Sequence, residues 1–222
     1  MVPIAVILGV AAIVGLVGYL IWQQGKPAGS SFEGAAAIEL DPAPDLPGEY
    51  VNLPELYKDE RGLAHYGASS SEGPNTATHV TGDVDYAAAG NSNPPVGGPH
   101  WGAGTCGPDP ETSPGNCGPA PWGIYRAPWD AETLVHNLEH GGAVIWYNTT
   151  DQSVIDDLEN YVKDVKGPVV LTPYPDMEPE MVALTTWGRI DKFPVSEYTT
   201  DRVDQFIDAN NCRFNPEDLP SC

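Results

Sequence analysis

Five histidines, His65, His79, His100, His136 and His140, are the chain's most conspicuous chemical resource, because imidazole is the commonest protein ligand for late transition metals. His136 and His140 stand four apart in LVHNLEHGG, so a helical turn would project both rings from one face, where two side chains can hold one ion. His100 closes the loop PPVGGPH, whose prolines restrict the backbone and would present a third imidazole at little ordering cost. His79 lies in THVTGDVDY. If extended, that segment would put His79, Thr81, Asp83 and Asp85 on one face, adding a nitrogen beside two carboxylates. The pattern predicts one copper or zinc ion on His136, His140, His100 and His79. Glu139 is read as a supporting carboxylate, accepting the second ring N–H of a ligating histidine. Met177 and Met181, in PYPDMEPEM, are possible extra ligands because thioethers bind Cu(I), although methionine more often fills gaps in a core.

Other chemistries have weaker support. His136 to His140 matches the H-x-x-E-H order of inverted zinc peptidases, in which the glutamate acts on zinc-bound water. Those enzymes need a further acidic ligand on a second helix, whereas this segment runs directly into an apolar strand-like run. No P-loop, no G-x-G-x-x-G and no G-x-S-x-G is present, so neither a nucleotide or flavin cradle nor a serine elbow is expected. Cys106, Cys117, Cys212 and Cys222 form no C-x-x-C, which removes thioredoxin-like redox and C-x-x-C-H haem attachment. No catalytic residue is assigned, and an enzyme is the less favoured reading.

The elements that must position these residues lie mostly in the second half of the chain. GAVIWY (142–147) is a short apolar run of β-formers. SVIDDLENYVKDVKG carries Val154, Ile155, Leu158, Tyr161, Val162 and Val165 at helical spacing, with Thr150 or Asp151 placed to cap it and Gly167-Pro168 to stop it. PVVLTPY reads as a second strand, MVALTTWGRI as a third, and TTDRVDQFIDANN as a second helix with Val203, Phe206 and Ile207 on one face. The class is α+β, with a β-α-β-β-α half that needs a covering layer on the other face of its sheet. The Gly/Pro-rich stretch from Tyr66 to Trp122, anchored by Trp101, Trp122 and cysteines, is the expected cover.

At the other end, Val2 to Trp22 carries no charged or amide side chain and matches the about 20 residues that cross a bilayer as a helix. Residues 1–22 are therefore read as a transmembrane anchor, 23–50 as a flexible tether and 51–222 as one extracytoplasmic domain. Cleavage near Ala28-Gly29-Ser30 is the alternative. Lys26 alone would favour a cytoplasmic domain, whereas four cysteines pairable as Cys106–Cys117 and Cys212–Cys222 favour the oxidising side. With 10 Lys+Arg against 31 Asp+Glu and a formal charge of -21, the chain repels phosphate backbones and tolerates cations, so nucleic acid is excluded as a partner. A high-salt habitat would select the same composition.

The succession HVTGDVDY, NPPVGGPHW, a loop cysteine before GIY, VHNLEHGGAVIWY, VVLTPYP and ALTTWGR resembles the bacterial family catalogued as domain of unknown function 3105. The resemblance implies a membrane-tethered or secreted protein with no assigned reaction, and it places motif histidines at His79, His100, His136 and His140. His65 lies before the matching segments, and Met177 and Met181 fall where the pattern requires no methionine. The loop from Gly102 to Ala120 is longer than the family's usual one. The preferred reading is a membrane-anchored metal-binding module for delivery, storage or structural closure. An accessory subunit of a larger membrane assembly comes second and a metal-dependent enzyme third.

Overall fold

The computed structural model describes residues 45–57, 78–102 and 118–213. The expected anchor and tether up to residue 44, His65, Cys106, Cys117 and Cys222 lie outside the described residues. Cys212 takes part in a disulfide, but the expected pairings themselves lie outside. Among the described residues no helix is long and apolar enough to cross a membrane.

The protein is a mixed α+β fold on one large sheet. Strands β1 (Glu49–Tyr50), β4 (Gly123–Ile124), β5 (Ala143–Asn148), β6 (Val169–Pro173), β7 (Met181–Thr186) and β8 (Arg189–Pro194) form it in the order β1-β8-β7-β5-β6-β4. β5 and β6 pair in parallel, Val144 opposite Val170 and Ile145 opposite Leu171. That pairing needs a crossover, which helix α4 (Gln152–Asp164) supplies with Asp151 as its cap, accepting the Ser153 N–H. β5 with β7 and β7 with β8 are antiparallel. The apolar run MVALTTWGRI is not one strand, as its composition suggests. It turns at Trp187-Gly188, where Gly188 takes φ 76°, and gives β7 and β8 as a hairpin. RIDKFP thus adds a strand, and the half reads β-α-β-β-β-α.

The central strands are covered on both faces, which is why they read as continuous apolar runs without alternation. Ala143, Ile145, Tyr147, Val169, Leu171, Val182 and Leu184 pack under α4 and α5 (Thr200–Asn210) against Leu158, Val203, Phe206 and Ile207. On the opposite face Val144, Trp146, Val170 and Ala183 meet Leu134, Val135 and Leu138 of α3 (Ala131–Glu139), together with Leu53, Tyr57, Val80, Val96 and Trp101. The loop-rich half is therefore the second covering layer. It contains only short elements: α1 (Leu53–Leu56), the parallel pair β2 (His79–Val80) and β3 (His100–Trp101), and α2 (Tyr86–Ala89).

With so little regular structure, side chains replace the backbone ladder in that layer. Tyr86 Oη donates to the Pro99 carbonyl at 2.8 Å and Trp101 Nε1 to the Gly82 carbonyl at 2.9 Å. Asn137, fully buried on α3, pairs with the Ala120 backbone in both directions: its Oδ1 accepts the N–H at 2.9 Å and its Nδ2 donates to the carbonyl at 2.8 Å. Glu132 accepts the Val84 N–H at 2.7 Å, and burial raises its pKa in spite of that bond. The Glu132 bond ties the β2–α2 segment to α3, and the Asn137 pair ties the chain at Ala120 to the same helix.

Candidate metal centre

β2 and β3 pair in register with His79 directly opposite His100, and opposed residues of neighbouring strands project to one side. β3 in turn lies against α3, which delivers His136 and Glu139. The three imidazoles form a near-equilateral group, with ring centroids 5.0 Å apart for His79–His100, 5.1 Å for His79–His136 and 5.0 Å for His100–His136. Together His79, His100, His136 and Glu139 offer four ligand atoms that all lie within 4.8 Å of one another. This His3Glu group lies close enough to bind one metal ion.

The hydrogen bonds leave the ligating atoms facing inward. His100 Nδ1 is 2.8 Å from the Gly98 carbonyl and His136 Nδ1 is 2.7 Å from the Trp101 carbonyl. A carbonyl oxygen only accepts, so both Nδ1 atoms carry protons and Nε2 is the ligating atom of each ring. Gly98 can present its carbonyl there because φ is 116° and a side chain would run into the Tyr57 ring. His136 titrates at about 4: burial lowers it, and His100 and His140 lower it further. Its ring is neutral at physiological pH, as ligation requires.

Glu139 is buried, with 4% of its side chain exposed, and its Oε2 lies 2.9 Å from His100 Nε2 and 3.4 Å from His79 Nε2. Burial pushes its pKa up, but His100, His79 and His136 outweigh that and hold it below the usual carboxylate range. A neutral His100 with its proton on Nδ1 would set an Nε2 lone pair against a carboxylate that can only accept. The two atoms are reconciled by a cation between them, either a proton on Nε2 or a metal bonded to both.

The geometry differs from the sequence reading at His140 and Glu139, and the carboxylates expected beside His79 lie outside the group. His140, expected as a ligand, stands at the C-cap of α3 and is outside the four-residue group. The helix ends beneath it, and its ring meets that of His136 edge-on at 4.6 Å. Glu139, expected as a supporting carboxylate, is in the group because i+3 from His136 is still helical. Asp83 and Asp85 are exposed, since β2 ends at Val80 and Asp85 turns away to cap α2. Met177 is buried in the apolar core and Met181 is partly buried against it at the start of β7, the packing role that methionine usually takes.

Residues 79–222, which begin at His79 and include the whole group, match the family described as "Protein of unknown function (DUF3105)". The chain belongs to that family. No curated protein and no solved structure matches it. Within this DUF3105 member, Gly98 holds His100 through its carbonyl and Asn137 ties the Ala120 backbone to α3 through its side-chain amide; neither was singled out in the sequence, since only the fold brings these partners near.

Proposed function

We propose that the chain is a metal-binding module that holds one divalent late transition metal ion, zinc or copper, on His79, His100, His136 and Glu139. The observation that carries this reading is the convergence of four ligand atoms from three separate segments within 4.8 Å. Bonds of about 2.0–2.1 Å in a tetrahedron set ligand atoms about 3.3 Å apart, and the Glu139 distances to His100 and His79, 2.9 and 3.4 Å, bracket that edge. Three neutral imidazoles and one carboxylate favour a divalent ion over soft Cu(I), which prefers sulfur.

The reading includes an uncleaved helix at residues 1–22 that holds the domain on the extracytoplasmic face, where metal delivery, storage or structural closure is its role. The test is elemental analysis of the full chain purified in mild detergent, before and after equilibration with Zn(II) and with Cu(II). One equivalent in the parent and none in His100→Ala/His136→Ala is the expected result. A folded parent that takes up neither ion would overturn the reading.

A further inference from the structure

We propose that His79 is the exchangeable ligand of this centre, and that the ion enters and leaves by substitution at His79 while His100, His136 and Glu139 stay bonded. The inference rests on the metal-binding reading and adds how the site is loaded and emptied. The four side chains are unequally covered. His100 and Glu139 are 0% and 4% exposed, whereas 34% of the His79 side chain faces solvent, and His136 is 3% exposed. His100 is held by the Gly98 carbonyl and flanked by the Trp187 ring, with centroids 6.2 Å apart. His136 is pinned to the backbone of Trp101, itself buried. His79 is therefore the one member of the four whose ring has a solvent-facing edge, although its Nε2 is itself covered, so an incoming donor reaches the ion from the His79 side as that ring swings outward.

Gly102 shapes that side. A methyl group there would stand 2.6 Å from Cγ and 2.8 Å from Nδ1 of His79, so the ring keeps its position only while residue 102 has no side chain. Exchange needs a short-lived fifth ligand on an accessible face, which zinc tolerates. The incoming donor forms a bond to the metal as the bond to His79 breaks. For an incoming imidazole one neutral nitrogen lone pair replaces another, and no proton or electron changes hands. The excess negative charge of the chain, -21, raises the cation concentration near its surface as a whole. A centre built this way passes its ion on, whereas a purely structural one would bury all four ligands.

The test uses the full chain in mild detergent, loaded with Co(II), whose visible ligand-field absorption reports the donor set. His79→Gly is compared with His100→Gly, the opposed strand residue in the same backbone context, as free imidazole is titrated into each. In His79→Gly the expected result is restoration of the parental spectrum by imidazole. Without imidazole, release to excess EDTA should be faster than in the parent by more than the ~10–100-fold cost of disturbing a supporting contact. His100→Gly is expected to show no restoration. Equal restoration in both variants, or parental release from His79→Gly, would overturn the proposal. If His79→Gly takes up no Co(II), Gly102→Ala decides: faster release with all four ligands retained supports it, and a parental rate overturns it. A parent that binds neither Co(II) nor Zn(II) refutes the metal-binding reading itself, which is a separate outcome.

Discussion

Replacing Glu139 by glutamine discriminates between the ligand set that the helix spacing suggests and the one the fold assembles. The substitution keeps the shape and removes the charge. In the parent, Oε2 lies 2.9 Å from His100 Nε2 and 3.4 Å from His79 Nε2, with the carboxylate almost fully buried. A structural zinc site is worth about 10–16 kcal/mol at neutral pH, so one of four ligands accounts for about 3 kcal/mol. That corresponds to a loss of about two orders of magnitude in affinity. An amide oxygen is a weaker donor and leaves the metal with one more uncompensated charge, so Glu139→Gln is expected to weaken Zn(II) binding by about 100-fold. His140→Ala, which removes a ring that touches His136 edge-on at 4.6 Å, is expected to stay within about 10-fold of the parent, at the mild end of what a supporting contact costs. Competition titration against a chelator of known affinity measures both. Parental affinity in Glu139→Gln together with a large loss in His140→Ala would refute the assembled set and restore the four-histidine one.

Acid should destabilise the metal-free fold. Burial and the neighbouring rings hold His136 at about 4 in the folded state, below the ~6.5 of a free imidazole, so the unfolded chain takes up that proton first and stability falls as pH drops through this window, by about 3 kcal/mol in all. Glu139, whose carboxyl is held low, extends the loss in the same direction at lower pH. Urea titrations at stepped pH check this, and His136→Leu should flatten the upper part of the slope. Asn137→Ala strands the buried N–H and carbonyl of Ala120 and is expected to cost about 3 kcal/mol in the same assay. Arg202 makes two 2.8 Å bonds to Asp191 and lies 4.0 Å over the Phe193 ring. Because it is one-third exposed, Arg202→Ala should cost only about 1 kcal/mol, seen as a small drop in urea midpoint.

What could be read in advance follows from the range of the interactions. α4 and α5 were legible because local signals agree: apolar residues at helical spacing in both, with the Asp151 cap before the first and Gly167-Pro168 after it. β5 and β6 were legible as short runs of β-formers. The hairpin at Trp187-Gly188 was not, because Trp187 is buried beside His100 and its apolar character masked a turn that is covered by the Val96 carbonyl accepting the Gly188 N–H. His79, His100 and His136 were legible by residue type alone. That Glu139 and not His140 falls within the group depends on where β3 lies against α3, and no local pattern encodes that contact.

The same arrangement would give a bound metal a reason to matter for the fold. His100 and Trp101 are consecutive in β3: the first offers a ligand and the second, through its carbonyl, orients the ligand on α3. His79 joins them through the parallel pairing. A single ion would thus cross-link three chain segments whose mutual order is otherwise held by a two-residue strand pair, side-chain bonds to backbone and the packing of Val80, Val96 and Trp101 on α3 and the sheet. Such a site is scarcely formed in the unfolded chain, so its binding energy is folding energy. That energy acts on the layer with the least regular structure of its own. An ion would also resolve an electrostatic conflict in the core, where the buried Glu139 carboxylate faces two imidazole nitrogens and is stabilised by a cation. The same four side chains would let one ion both tie down the loop-rich layer and take the place of the proton between His100 and Glu139.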